Sequence, residues 1–253
     1  MYDIERQRKI LEILKDNKSH SVYELSNLLF ASAATVRRDL TKMEQKGFIT
    51  RTFGAVMLNP NPKNKESAFE LREKVNIVEK RALCQKAVSF LYDNMSVFID
   101  SSTTLLHIIP FLNSFKNITI ITNGLFIANE IITHTSCNLI LCGGQVQANT
   151  NSILGPKAIA DMRNFHADLA LISCGGFDLD YGFSESTIDS TELKRTMCSN
   201  SDKTIVLADE SKYHKKILYR STTLSDIDVL ITTVKFDEAE QAKLEKFNVK
   251  VIH

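Results

Sequence analysis

The segment Ser32-Ala33-Ala34-Thr35-Val36-Arg37-Arg38-Asp39-Leu40 leaves a folding chain few choices. Val36, Leu40 and Met43 recur at spacings of four and three, which places them on one face of a helix, and Ser32 before them is a good N-cap. Thr35, Arg37 and Arg38 fall on the other faces and can reach phosphate oxygens or base edges. Just upstream, Val22-Tyr23-Glu24-Leu25-Ser26-Asn27-Leu28-Leu29 carries a second short amphipathic pattern, with Phe30-Ala31 as a tight link. Two short helices joined by a brief turn, the second bearing paired arginines near its start, make the helix-turn-helix pattern.

The flanks extend this unit. Glu5 to Lys15 reads as a first helix with Ile10, Ile13 and Leu14 on its core face. Gly47 stands where a glycine ends a last helical turn. Phe48-Ile49-Thr50-Arg51 and Ala55-Val56-Met57-Leu58 read as two short strands around a turn containing Gly54. Three helices followed by a hairpin make a winged helix-turn-helix over residues 1–58, with Arg51-Thr52-Phe53 at the wing tip beside a phosphate backbone or minor groove. The candidate DNA contacts are Ser32, Ala33, Thr35, Arg37, Arg38 and Arg51. Charge agrees in placement more than in amount. Residues 1–58 hold ten Lys/Arg against seven Asp/Glu, about +3, in a chain whose formal net charge is +1. Arg37, Arg38, Lys42, Lys46 and Arg51 all lie in the second half of that unit.

Asn59-Pro60-Asn61-Pro62-Lys63-Asn64-Lys65 opens a linker over residues 59–74, because its prolines disfavour helix in the residues before them. From residue 75 to 253 the rhythm alternates. Helical patterns at Val78–Tyr92, Thr103–Leu112 and Leu125–Thr133 separate apolar strands at 96–100, 118–122 and 139–142. Further strands are expected at 169–173, 204–208, 229–232 and 249–252. Continuous apolar strands between amphipathic helices imply an α/β domain with a mainly parallel sheet covered on both faces. No stretch approaches the roughly 18 apolar residues of a membrane span. The polar start does not read as a secretory signal, and the five cysteines show no C-x-x-C spacing. A reducing cytoplasm is the expected location, and nothing in the pattern calls for a cofactor or metal.

In parallel α/β sheets, ligands sit beyond the carboxyl ends of strands. Asp100-Ser101-Ser102-Thr103-Thr104 offers four hydroxyls after one strand, and Thr122-Asn123 follows the next. Gly143-Gly144 and Gly175-Gly176 follow two more, where a glycine lets backbone approach a ligand. Lys194, Arg195 and Lys212 add positive charge. Each has a plain structural alternative: the hydroxyls as caps, the glycines as turns, Lys194 and Arg195 as a solvated helix surface. Their recurrence at one sheet edge favours a small anionic ligand. Enzyme motifs are missing: there is no G-x-G-x-x-G, no G-x-x-x-x-G-K-[ST] and no G-x-S-x-G. Asp178 and Asp180 form an Asp-x-Asp pair that reads more readily as a turn than as an acid/base pair.

These motifs together resemble the DeoR-type bacterial transcriptional regulators from end to end. The resemblance rests on Glu5-Arg6-Gln7-Arg8-Lys9-Ile10, Leu25-Ser26, Thr35-Val36-Arg37-Arg38-Asp39-Leu40, Glu44-x-x-Gly47 and Arg51-x-x-Gly54-Ala55. In the second half it rests on Asp100-Ser101-x-Thr103-Thr104, Thr122-Asn123, Gly143-Gly144, Gly155, Lys194-Arg195 with Met197, and Asp209-x-Ser211-Lys212. The resemblance implies a sensor half similar to ribose-5-phosphate isomerase that binds phosphorylated sugars, with the Ser101–Thr104 loop on the phosphate and Lys80 or Lys212 as cationic partner. It implies double-stranded operator DNA as partner, a dimer or tetramer, and a repressor more often than an activator of a sugar-utilisation operon. Three residues depart from the family pattern: Ser102 replaces a glycine, Phe53 replaces one of two wing glycines, and Ala31 replaces an apolar β-branched residue. Two other functions stay open, an active isomerase using Asp178, Asp180 and Lys212, and a constitutive DNA-binding module without a ligand.

Overall fold

The computed structural model describes residues 3–14, 19–45, 47–52, 54–59, 69, 72–148 and 150–253. Lys46, Phe53 at the expected wing tip, and most of the expected linker lie outside the described residues. Packing divides the chain into two compact units, residues 1–77 with 148–150, and residues 78–147 with 151–253.

The first unit contains α1 (Asp3–Ile13), β1 (His20–Ser21), α2 (Val22–Leu28), α3 (Ala33–Gln45), β2 (Ile49–Thr52) and β3 (Ala55–Leu58). The apolar rhythms read from sequence meet in one core, in which Leu14, Leu25, Val36, Leu40, Met43 and Val56 are fully buried. Each such side chain contributes about 1.5–3 kcal/mol by leaving water. Helix α2 starts with a capping box: Glu24 N–H donates to Ser21 Oγ at 3.2 Å, and Ser21 N–H donates to Glu24 Oε2 at 2.7 Å. The strands pair antiparallel in the order β1-β3-β2, with Arg51 opposite Val56. This is the expected three helices and wing, plus the two-residue β1, which is too short to leave a pattern.

The second unit begins within α4 (Ile77–Ala87). Its strands are β4 (Ser96–Ile99), β5 (Thr119–Thr122), β6 (Asn138–Leu141), β7 (Gln145–Gln147), β8 (Ser152–Leu154), β9 (Leu169–Ile172), β10 (Gly176–Asp178), β11 (Gly182–Glu185), β12 (Thr204–Ala208), β13 (Tyr219–Thr222), β14 (Val229–Thr232) and β15 (Lys250–Ile252). The helices among them are α5 (Ile109–Leu112), α6 (Leu125–His134), α7 (Pro156–Met162), α8 (Ile188–Ser199) and α9 (Glu238–Lys246). Seven strands form a wholly parallel sheet in the order β15-β14-β12-β9-β4-β5-β6. Its central strands alternate between two cores: Leu169 and Leu171 enter one, Ala170 and Ile172 the other. Both faces are covered, so these strands carry no polar alternation. A smaller antiparallel sheet, β10-β11-β13, and the β7-β8 hairpin complete the unit.

Two expected helices are corrected. The span expected at Thr103–Leu112 is a turn, a 3₁₀ segment at Leu105–Ile108 and the short α5. Pro110 cannot donate to the ladder and its ring crowds the carbonyl four residues back, so the helix restarts with Pro110 in its first turn. The span expected to reach Tyr92 leaves α geometry at Ala87 and ends in a 3₁₀ turn, Val88–Phe90. No helix among the described residues is long and apolar enough to cross a membrane.

Candidate functional sites: an exposed basic helix and a lysine-hydroxyl cluster

Helix α3 is held from behind and presented from the front. Ser32 Oγ accepts from Thr35 N–H at 3.2 Å, which caps the helix start, and lies 2.9 Å from Thr35 Oγ1. Asp39 is buried on the core side and pairs with Arg6 of α1. Arg37 and Arg38 are exposed, and their guanidinium groups make no hydrogen bond or ion pair among the described residues. Arg51 differs. From β2 it turns onto α3, where Nε donates to Glu44 Oε2 at 2.9 Å and Nη2 donates to Thr41 Oγ1 at 3.0 Å. Arg51, expected at the wing as a DNA contact, is engaged in this structure by Glu44 and Thr41.

In the second unit, the chain runs from β4 to β5 and β6 on one side, and from β9 to β12, β14 and β15 on the other. The winding reverses between β4 and β9, and open α/β sheets take ligands beyond the strand ends at such a point. Asp100–Thr104 leaves β4 there, and Ser173–Gly175 leaves β9. Asp100 ties the two loops together. Its Oδ1 accepts from Ser102 N–H at 2.9 Å and its Oδ2 from Ser173 N–H at 2.9 Å.

Three lysines converge on these loops. Lys194, from α8 and a candidate for the anionic ligand, is only 8% exposed, which excludes its plain alternative of a solvated helix surface. Its Nζ lies 3.1 Å from Asp100 Oδ2 and donates to Glu185 Oε1 at 2.5 Å and to Ser173 O at 2.6 Å. Burial works against its charge, but Asp100 and Glu185 outweigh that and hold the ammonium above its ordinary pKa. Lys80, from α4, is buried and donates to Thr103 Oγ1 at 3.1 Å. Lys212, on the 3₁₀ turn Glu210–Lys212 after β12, donates to Ser173 Oγ at 2.6 Å and Thr104 Oγ1 at 3.3 Å. Lys212 has no carboxylate partner among the described residues.

Two buried oxygens beside this cluster, Ser102 Oγ and Asn123 Oδ1, have no hydrogen-bond partner among the described residues. Leaving such an atom unsatisfied costs about 1–3 kcal/mol. The Asn123 amide nitrogen is used, donating to Ser101 Oγ at 3.4 Å and Ile153 O at 3.2 Å. His107 sits just after the loop. Burial, with Lys80 and Arg81 nearby, pushes it down to about 4, so it is neutral near pH 7. The neighbouring thiols are inert: burial pushes Cys84 and Cys174 up to about 12.

Other candidates also make contacts within the fold. Thr122 Oγ1 donates to Ile99 O at 2.6 Å and accepts from Gly124 N–H at 3.0 Å. Gly143 N–H donates to Asp161 Oδ2 at 2.8 Å, and a Cβ on Gly144 would meet Leu154 O at 2.9 Å. A Cβ on Gly175 would meet Ile217 at 2.8 Å, and one on Gly176 would meet Lys215 at 2.7 Å, so these two admit the passing chain. Arg195 binds the backbone oxygens of Ser221 and Arg220. Asp178 closes the β10-β11 turn, accepting from Asp180 N–H at 2.9 Å and Tyr181 N–H at 3.0 Å, while Lys243 holds Asp180. Sequence reasoning missed Ser173 and Glu185. Neither sits in a recognisable motif; the β4-β9 adjacency brings Ser173 to Asp100, and Lys194 and the Gly175 N–H hold Glu185 beside it.

Residues 6–61 match the DeoR-like helix-turn-helix domain, and residues 75–233 match the DeoR C terminal sensor domain. The chain belongs to the DeoR family of helix-turn-helix transcriptional regulators. It is 32% identical over 253 residues to the HTH-type transcriptional regulator GolR of Listeria innocua, covering 99% of this chain and 98% of that protein. Other DeoR-family relatives differ in the sign of regulation their names give. The HTH-type transcriptional repressor CsqR of Escherichia coli is 27% identical, covering 98% of this chain and 94% of its own. The L-fucose operon activator of Haemophilus influenzae is 29% identical, covering 98% of each. Among solved structures, ribose 5-phosphate isomerase A of Methanocaldococcus jannaschii matches at a TM-score of 0.42 and 15% identity, over 56% of each chain. A likeness that loose says nothing about activity.

Proposed function

We propose that the chain regulates a sugar-utilisation operon, as a repressor, by binding double-stranded operator DNA through α3 under the control of a phosphorylated sugar or related metabolite. Ser32, Ala33 and Thr35 lie at the helix end that enters a major groove, and Arg37 and Arg38 divide between phosphates and base edges. Arg51 positions the wing against α3. One small unit buries too little surface for strong specific binding, so the protein acts as a dimer or tetramer on repeated half-sites, in the cytoplasm. The anionic group of the effector is taken by Lys212 and Lys80 with the hydroxyls of Ser101, Thr103 and Thr104, and Ser102 Oγ and Asn123 Oδ1 meet its polar remainder. Lys194 and Asp100 hold the two loops in place.

The observation that carries the sensor reading is Lys212: a half-buried ammonium whose partners among the described residues are hydroxyls, at the reversal point of a parallel sheet. The DNA reading rests on two exposed arginines whose guanidinium groups have no partner among the described residues, beside an Arg6–Asp39 pair and an Arg51–Glu44 pair that are satisfied. Gel-shift titration of the promoter region with Arg38→Ala tests it. A loss of about 1–3 kcal/mol in operator affinity with an unchanged melting temperature is expected; full affinity removes α3 from the interface.

A further inference from the structure

Helices α2 and α3 end in the same way but with different residues. At the end of α3, Gly47 N–H donates to Glu44 O at 2.9 Å and Phe48 N–H to Met43 O at 2.8 Å, with Gly47 at φ +74°. At the end of α2, Phe30 N–H donates to Asn27 O at 3.2 Å and Ala31 N–H to Ser26 O at 3.0 Å, with Phe30 at φ +50°. Both are Schellman caps, whose left-handed residue is usually glycine and sometimes asparagine. Among the described residues, seven that are not glycine take a positive φ: five asparagines, one histidine and Phe30. Asparagine and histidine tolerate that region, whereas a bulky aromatic there is an outlier.

Phe30 is strained for no internal return. Its residue surface is 98% exposed, so the ring fills no core, and the cap hydrogen bonds need only its backbone. Strain that persists without a packing gain points to a role outside the folded chain. The place of the ring indicates which role. Phe30 stands two residues before Ser32, at the end of α3 that a helix-turn-helix inserts into the major groove. The two hydrogen bonds fix the backbone under the ring, so little freedom is left to lose on docking.

We propose that Phe30 is a DNA-reading residue, its ring making apolar contact with a thymine C5-methyl group in the major groove next to the base pairs faced by α3. This rests on the reading of α3 as the recognition helix. The thymine methyl is the one apolar handle that the major groove presents, and phenylalanine is among the side chains that contact it. Glycine at this position would relieve the cap and leave the methyl unread.

The test uses the full chain and an operator duplex selected by it from a random-sequence pool, at fixed salt. Phe30→Gly is expected to melt at the same temperature as the parent or higher and to keep its oligomeric state. It is expected to bind the operator more weakly. Replacing thymine by deoxyuridine at the contacted position should weaken the parent roughly fourfold, the equivalent of one buried carbon, and leave Phe30→Gly unaffected. Equal binding by parent and variant, a parent indifferent to every such replacement, or a variant as sensitive as the parent overturns the proposal. So does a fall in melting temperature or a changed oligomeric state, which makes Phe30 a packing or assembly residue. Arg38→Ala is run alongside. Weakened binding by Arg38→Ala with none in Phe30→Gly rejects the Phe30 contact alone; undiminished binding by both rejects α3 as the reading helix.

Discussion

Helix α3 and the loops beyond β4 and β9 are made of the same chemistry, lysine or arginine set among serine and threonine, and they use it in opposite ways. On α3, the guanidinium groups of Arg37 and Arg38 stand in water without partners among the described residues. At the sheet reversal, Lys194 is enclosed by Asp100, Glu185 and the carbonyl of Ser173. Lys212 stands between these extremes, half-buried but answered, among the described residues, only by hydroxyls. What a cation does follows from what surrounds it. An enclosed one fixes loops, an open one waits for a polyanion, and a hydroxyl-lined one suits a small anion.

The largest effect that separates these roles is expected at Lys194. Lys194→Met leaves Asp100 and Glu185 facing each other with no counter-charge, and breaking a buried pair in this way costs about 3–5 kcal/mol. Urea denaturation followed by circular dichroism reads it. A loss below about 1 kcal/mol would place Lys194 with the open cations and blur the comparison.

A second, smaller effect lies in pH. His107 in the folded chain binds its proton only near pH 4, below the roughly 6.5 of an unfolded histidine. Between those values the unfolded chain takes up the proton and the folded one does not, so stability falls as the pH drops from about 6.5 toward 4. His107→Gln is expected to flatten that part of the profile of melting temperature against pH. An identical slope in the variant would show that the desolvated histidine plays no part.

The smallest effect sharpens the other half. Arg51 is already engaged by Glu44 and Thr41 near the surface, and such pairs contribute about 0–1 kcal/mol. Arg51→Ala should change both stability and operator affinity by less than Arg38→Ala changes affinity, in the same gel-shift titration. A loss equal to that of Arg38→Ala would make Arg51 a direct DNA contact.

The sequence showed the first unit almost whole, because each of its helices buries one face at a regular spacing and Gly47 punctuates the end of α3. The parallel sheet was equally plain from its apolar strands, but not the strand order. Nothing in residues 96–99 or 169–172 says that β4 and β9 are neighbours, so Ser173 and Glu185 escaped notice while the Ser101–Thr104 loop did not. The surroundings of Lys194 were hidden for a related reason. A lysine on an amphipathic helix reads as solvated until two carboxylates from other elements, Asp100 after β4 and Glu185 at the end of β11, arrive beside it. The close approach at a glycine pair was equally hidden, since Gly175-Gly176 accommodates the chain at Lys215–Ile217. Local patterns reveal helices and caps; the partners of a charge are a property of topology.

The most direct test of a hydroxyl-lined lysine as the seat of control is a calorimetric titration of the full chain with a panel of sugar phosphates, repeated with Lys212→Gln and paired with operator binding. One phosphorylated sugar is expected to bind and shift operator affinity about 5- to 150-fold, and Lys212→Gln to lose both effects while keeping its fold and its ligand-free operator affinity. Binding and shift of the same size in Lys212→Gln would contradict this expectation.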